Sequence, residues 1–234
     1  MSQFRSISLC NVIYKLVSKI LANWIKPLLD SLISNSQSAF VPGRLITDNV
    51  IIAYEVNHCL SHKISGQNGY ASLKLDISKA YDRVEWNFLE SVLLRIGFNP
   101  KFVALIMMCV TSVSFSFLLN GDQFGFLYPE RGIRQVDPLS PYLFLFCAEA
   151  LSHLIRQAEA QGEIQGVSVS LRAPRISHLL FADDTMIFCQ TSSEALLAIK
   201  EILHKYELAS GLKINLSKSA FVFSKNVQIE NRLP

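Results

Sequence analysis

The 234-residue sequence lacks any apolar run long enough to cross a membrane without meeting a charge or a turn, and no signal-peptide pattern opens it. It reads as a soluble chain with no membrane partner. Cysteine is sparse: Cys10, Cys59, Cys109, Cys147 and Cys189 are odd in number, far apart and mostly set in apolar runs. That spacing argues against a disulfide framework and suits reduced core residues of an intracellular protein. Charge of one sign is lacking too, since a formal net charge of +3 is too mild to mark a nucleic-acid binder by itself. His58 and His62 lie four apart with no third ligand in view, which favours a surface pair over a zinc site. There is no internal repeat and no low-complexity linker.

What is there is apolar. Half of the residues are hydrophobic, enough at this length to bury a substantial core in one compact unit with subdomains. The charges are also unevenly placed. Up to Leu45 the bases Arg5, Lys15, Lys19, Lys26 and Arg44 face only Asp30, and beyond Gly211 Lys213, Lys218, Lys225 and Arg232 face only Glu230. Basic ends around a more acidic centre suit a polyanion, and solvated surface explains them as cheaply.

Helical spacing of apolar residues predicts one or two amphipathic helices over Val12 to Leu32, with a polar stretch from Ser34 to Asn49 and another helix from Val50. A strand is expected over Ala71 to Ile77. Asp82 and Glu85 look like a capping box ahead of a helix over Trp86 to Ile96 that Gly97 ends, and Asn99-Pro100 opens the next helix. Asn120-Gly121 signals a hairpin. Pro138 or Pro141 starts a long helix reaching about Ala160, and Gly162 and Gly166 bracket a short strand. Ser192 or Ser193 caps a helix stopped by Gly211, with closing strands over Leu212 to Leu216 and Ala220 to Phe223. Strands and helices interspersed with antiparallel hairpins predict an α+β layer rather than a doubly wound sheet.

Between the short apolar runs Leu179 to Phe181 and Met186 to Phe188 stand the adjacent acids Asp183 and Asp184, read as a tight hairpin turn. Two like charges side by side repel. A hard divalent cation with oxygen ligands relieves that repulsion, and so does plain exposure to water.

An ordered series of blocks surrounds this hairpin: FRSISL at 4–9, QSAFVPGRLITDN at 37–49, LKLDISKAYDRVEW at 73–86, RGIRQVDPLSPYLF at 131–144, HLLFADDT at 178–185 and GLKINLSKS at 211–219. With these blocks the chain resembles the palm and fingers of reverse transcriptases from non-LTR, LINE-type retrotransposons of plants, over nearly its whole length. The resemblance implies a right-hand polymerase palm, an antiparallel sheet backed by helices. Helical and loop fingers occupy 1–70, and 71–234 form the palm with fingers elements interspersed. It brings Asp76 beside Asp183 and Asp184, with Asp76 and Asp183 as the main ligands of two Mg²⁺ ions (or Mn²⁺) about 3.5 to 4 Å apart. The implied partners are an RNA template, a DNA primer and dNTPs, in a nuclear setting.

The same resemblance gives roles to single residues. Tyr81 stands where an aromatic gate excludes a ribose 2′-hydroxyl, beside the small Ala80. Arg44 matches a fingers arginine on the triphosphate, Arg134 and Gln135 cradle nucleotide and template, and Lys218 faces the leaving pyrophosphate. Taken singly, Tyr81 reads equally as core packing, Arg44 as solvated surface and Lys218 as part of a basic tail.

Two departures stand out. Val136 replaces the glycine of the usual RQGDPLSP, where a β-branched side chain opposes a positive φ. Ser6 replaces a proline. The chain also ends at Pro234, before the primer grip and helical thumb that such a protein would continue into, so the thumb is expected to be missing. Beside an active polymerase, the alternative is a catalytically dead retroelement remnant with at most nucleic-acid binding. A group II intron maturase fits the blocks less well.

Overall fold

The computed structural model describes residues 10–66 and 68–227, so the block at 4–9, with Ser6, lies outside the described residues. The described residues form six strands: β1 (Tyr70–Leu75), β2 (Phe115–Leu119), β3 (Asp122–Leu127), β4 (His178–Phe181), β5 (Asp184–Gln190) and β6 (Ala220–Phe223). Four of them make one antiparallel sheet in the order β4-β5-β1-β6. On β1, Leu73 and Leu75 enter the main core while Lys74 between them is exposed, the period-2 alternation of a pleated strand.

Three long helices back this face: α5 (Trp86–Ile96), α7 (Ser140–Ala160) and α8 (Ser193–Ser210), which bring Leu89, Leu93, Leu143, Phe144 and Ile199 into the same core. Helices α1 (Val12–Ile25) and α6 (Pro100–Thr111) add Leu21, Ile25, Val103 and Ile106. The sheet's opposite face carries α3 (Ile46–His62), whose Val56 and Leu60 pack on Leu179 and Phe188. Ile187 faces the main core and its neighbour Phe188 the second cluster, so adjacent residues of β5 serve the two faces. The α+β layer is the one expected from the sequence.

The helix ends follow their local signals. Asn99 Oδ1 accepts the Lys101 N–H at 2.9 Å, Ser192 Oγ accepts the Ala195 N–H at 3.2 Å, and Gly97 and Gly211 end α5 and α8 in the left-handed conformation. Asn120 and Gly121 both have positive φ, as the two-residue turn of the β2–β3 hairpin demands.

Val12 to Leu32 forms two helices, as the sequence allowed, with Pro27 in a 3-10 turn (Lys26–Leu28) that joins α1 to the short α2 (Leu29–Leu32). Three expectations are corrected. Helix α3 begins at Ile46, inside the stretch read as polar loop. The capping box at Asp82 is not made: Asp82 lies within the one-turn α4 (Ala80–Arg83), and Glu85 precedes α5 with its carboxylate directed to Arg131. The strands expected near Gly166 and over Leu212 to Leu216 shrink to single bridges, Val167 with Ile176 and Ile77 with Ile214, because turns interrupt the backbone on either side. Among the described residues no helix is long and apolar enough to cross a membrane.

Candidate active site

Strand β1 ends at Leu75, paired with Thr185 of β5. The next residue outward is Asp76, and the same register carried one step further sets it opposite Asp184. Strands β4 and β5 pair up to Phe181 and Asp184, so Ala182 and Asp183 alone make the connecting turn. Three acids, one of them far from the other two in sequence, therefore share one end of the sheet. Ala182 holds φ at 53°, in the left-handed region that costs a residue with a Cβ about 1 to 3 kcal/mol.

Tyr81, on α4, stacks its ring on Phe144 of α7 at 5.1 Å and 14°. Its hydroxyl is pushed up to about 12, mainly by burial and then by the negative charge of Asp183. Tyr81 thus packs on the core while lying close enough to the acidic hairpin to feel the charge of Asp183. Ala80 is buried beside it.

The 211–219 segment runs along the other side of Asp76. Ser78 N–H donates to Lys213 C=O and Asn215 N–H to Asp76 C=O, each at 2.8 Å, and Asp76 N–H donates to Ser219 Oγ at 3.2 Å. Because Lys74 pairs with Ala220, the exposed Lys218 sits in the turn alongside Asp76.

The 131–137 loop lies on α4. Ile133 N–H donates to Tyr81 C=O and Gly132 N–H to Val84 C=O, both at 2.8 Å, and a Cβ on Gly132 would come within 2.9 Å of the Asp82 carbonyl oxygen. Gln135 Nε2 donates to Asp82 Oδ1 at 3.2 Å, one residue from Tyr81. Arg134 turns toward α1 instead, with its guanidinium 3.8 Å from the Tyr14 ring centre and an N–H to Cys10 Sγ. Val136 holds φ at 68°, in the left-handed region that favours glycine.

Arg44 differs from expectation. Its guanidinium donates to the carbonyls of Ser34, Gln37, Ile33 and Asp30 and pairs with the Asp30 carboxylate at 3.1 Å, leaving the side chain 14% exposed. All its nitrogens that point outward from the stem are thereby occupied in folding the 30–44 segment, so no donor is turned toward the acids as a triphosphate contact requires.

Several residues of the site escaped the sequence reading. Ser36 to Ser38 run along the outer edge of β4, with Leu180 N–H donating to Ser36 C=O at 2.8 Å and Ser38 N–H to Leu180 C=O at 3.3 Å. Asn49 Nδ2 donates to Leu180 C=O at 2.8 Å. Asp137 Oδ2 accepts from Leu139 N–H, Ser140 N–H and Ser140 Oγ at the start of α7. An aspartate two or three residues ahead of an apolar helix is a cap signature and was legible; the β4 edge contacts carry no local signal.

The donor set at the sheet end is three carboxylates, the hard oxygen ligands that suit a divalent cation, with Asp184 exposed and Asp76 and Asp183 half-buried. Among the described residues no group of three His, Cys, Asp or Glu side chains converges on a common point. By donor chemistry the three carboxylates suit a divalent cation, and as placed they do not enclose one.

A sequence profile described as reverse transcriptase (RNA-dependent DNA polymerase) matches residues 1–230. Over 69 residues, 30% of this chain and 57% of the relative, the chain is 58% identical to an uncharacterized mitochondrial protein of Arabidopsis thaliana. It is 29% identical over 229 residues to the transposon TX1 149 kDa protein of Xenopus laevis, matching 97% of this chain. It is also 29% identical over 188 residues, 80% of this chain, to the Pol polyprotein of the R2 retrotransposable element of Nasonia vitripennis. The chain spans only 17% of the length of each of these two transposon proteins. Among solved structures, telomerase of Candida tropicalis with a fragment of telomeric RNA matches with a TM-score of 0.61 at 12% identity, over 89% of this chain and 33% of that one. At that identity the likeness establishes the fold alone. The profile spans nearly the whole chain, over the same blocks that build the acidic sheet end, and the chain belongs to the reverse transcriptase (RNA-dependent DNA polymerase) family, among relatives from non-LTR retrotransposons.

Proposed function

We propose that the chain carries out RNA-directed DNA synthesis, transferring a nucleotide from a dNTP to a primer 3′-hydroxyl opposite an RNA template. One observation carries this reading: Asp76 at the end of β1 shares a sheet end with Asp183 and Asp184. Reverse transcriptases as a family use divalent metal ions. We assign two Mg²⁺ ions, replaceable by Mn²⁺, to this sheet end, with Asp76 and Asp183 as principal ligands and Asp184 beside them. Bound there, the ions would acidify the primer hydroxyl and neutralise the departing pyrophosphate.

The chain's own residues supply the rest. Tyr81, fixed by its stack on Phe144, walls the sugar side and rejects a 2′-hydroxyl by clash. Lys218, exposed beside Asp76, offers an ammonium to the leaving phosphates. Gln135, next to Asp82 and Tyr81, lies within reach of the nucleotide sugar, and Arg134 braces the same loop against α1. Arg44 serves by shaping the 30–44 segment.

Primer extension on a polyadenylate template with MgCl₂ tests the proposal with wild type and Asp183→Asn. Wild type should incorporate dTMP and the variant should lose roughly a hundredfold or more of the rate. Incorporation that persists in Asp183→Asn defeats the assignment. A second reading, a catalytically dead remnant that binds nucleic acid, is favoured by Val136 at φ 68° and by the internal engagement of Arg44. It predicts no incorporation by wild type alongside salt-sensitive retention of RNA–DNA hybrid.

A further inference from the structure

The acidic turn has an anchor outside its own hairpin. Gln37, only 1% exposed, lies on the edge of β4 and forms a parallel bridge with Leu180. Its Oε1 accepts two backbone donors, Ala39 N–H at 2.9 Å and Ala182 N–H at 3.2 Å. Ala182 is the turn residue held at φ 53°, immediately before Asp183. Gln37 Nε2 is buried and meets no partner among the described residues, so the side chain is held for its carbonyl even though its amino group goes unmatched.

We propose that Gln37 is a positioning residue for Asp183: by accepting the Ala182 N–H it keeps the turn in its strained conformation and so sets the affinity of the acidic sheet end for a divalent cation. The proposal rests on the reading of Asp183 as a cation ligand. An alanine in this conformation drifts toward ordinary φ unless its neighbours over-determine it, and a drift at Ala182 swings the carboxylate that follows. Outer-shell hydrogen bonds of this kind commonly govern metal affinity by tenfold to a hundredfold.

The test titrates MnCl₂ into wild type, Gln37→Leu, Ala182→Gly, the Gln37→Leu/Ala182→Gly double variant and Asp183→Asn. Free Mn²⁺ is read by electron paramagnetic resonance, and amide hydrogen exchange at Ala182 is followed in parallel. Gln37→Leu should bind Mn²⁺ about tenfold or more weakly and exchange the Ala182 amide faster. The double variant should regain most of the affinity, because glycine holds a positive φ unaided. A loss through general packing would not be rescued by a glycine at position 182. Unchanged exchange at Ala182 in Gln37→Leu, or a double variant as weak as Gln37→Leu, overturns the proposal. Equal Mn²⁺ binding by wild type and Asp183→Asn instead removes the cation reading, while the exchange data still decide what Gln37 does. If circular dichroism shows Gln37→Leu unfolded, Gln37→Met, closer in shape, takes its place.

Discussion

Val136 shows how one residue can conflict with a loop that everything around it holds in place. On its left the chain is bonded to α4 through Ile133 and Gln135, and on its right Asp137 is buried under the start of α7. With both flanks fixed, the backbone between them keeps φ at 68° although its side chain is β-branched. The isopropyl group is 73% exposed, so it recovers little by burial. Valine in this region carries strain of about 1 to 3 kcal/mol, whereas glycine carries none and loses part of that advantage through the greater freedom of its unfolded chain. Val136→Gly should therefore raise stability by about 1 kcal/mol, read as a shift in the urea midpoint at constant slope. If the same variant also raises primer extension, the valine obstructs the substrate path as well. A lowered midpoint would mean that the loop relaxes around valine at no cost.

Among the elements, α7 depends on a cap that lies outside its helical residues. Asp137 Oδ2 gathers the N–H groups of Leu139 and Ser140 and the Ser140 hydroxyl, three donors that the first turn would otherwise leave unpaired. Asp137→Ala should cost about 1 to 2 kcal/mol in urea unfolding, while Asp137→Asn, which keeps an oxygen acceptor, should stay within about 0.5 kcal/mol. Equal losses in the two variants would show that the charge of the carboxylate matters and the cap does not. Elements of this kind explain which features could be read in advance. Gly97, Asn99, Asn120-Gly121, Ser192 and Gly211 act on residues within four positions of themselves, so their effects are written locally and were found. The paired acids were visible for the same reason, since Asp183 and Asp184 adjoin in sequence, and Asp76 joined them only through the resemblance of its block. Gln37, Asn49 and Arg44 act across the fold or on carbonyls around a turn. Nothing in residue type or spacing distinguishes a solvated arginine from one that closes a loop upon itself. The strands expected near Gly166 and Ile214 failed similarly: apolar residues were present, but a ladder needs a partner strand, and only single bridges found one.

At the scale of the molecule, a buried polar chain ties the 34–49 segment to the sheet and to α7. Ser34 Oγ donates to Glu149 Oε2 at 2.9 Å and meets Ser152 Oγ at 2.9 Å, and Ser152 Oγ meets His178 Nε2 at 2.8 Å. Ser177 Oγ lies 3.1 Å from the other ring nitrogen, and Arg156 pairs with Glu149 at 2.6 Å. Burial, and then the positive charge of Arg156, lower His178 to about 4. An unfolded histidine takes up its proton near 6.5. Above that pH neither state is protonated and the full contribution of the network is present. As pH falls from about 6.5 to 4 the unfolded chain binds a proton that the folded chain refuses, so stability declines, and below about 4 this loss stops growing. At about pH 5 the loss should be on the order of 2 kcal/mol. Urea unfolding of wild type and His178→Gln at pH near 7.5 and near 5 isolates it, because every other titrating group is common to both proteins. The wild type should lose about 2 kcal/mol more than the variant on acidification. Equal losses would mean that His178 binds its proton as readily in the fold as out of it, with both ring nitrogens then donating to the hydroxyls of Ser152 and Ser177, and that the junction between the 34–49 segment and the sheet is insensitive to pH.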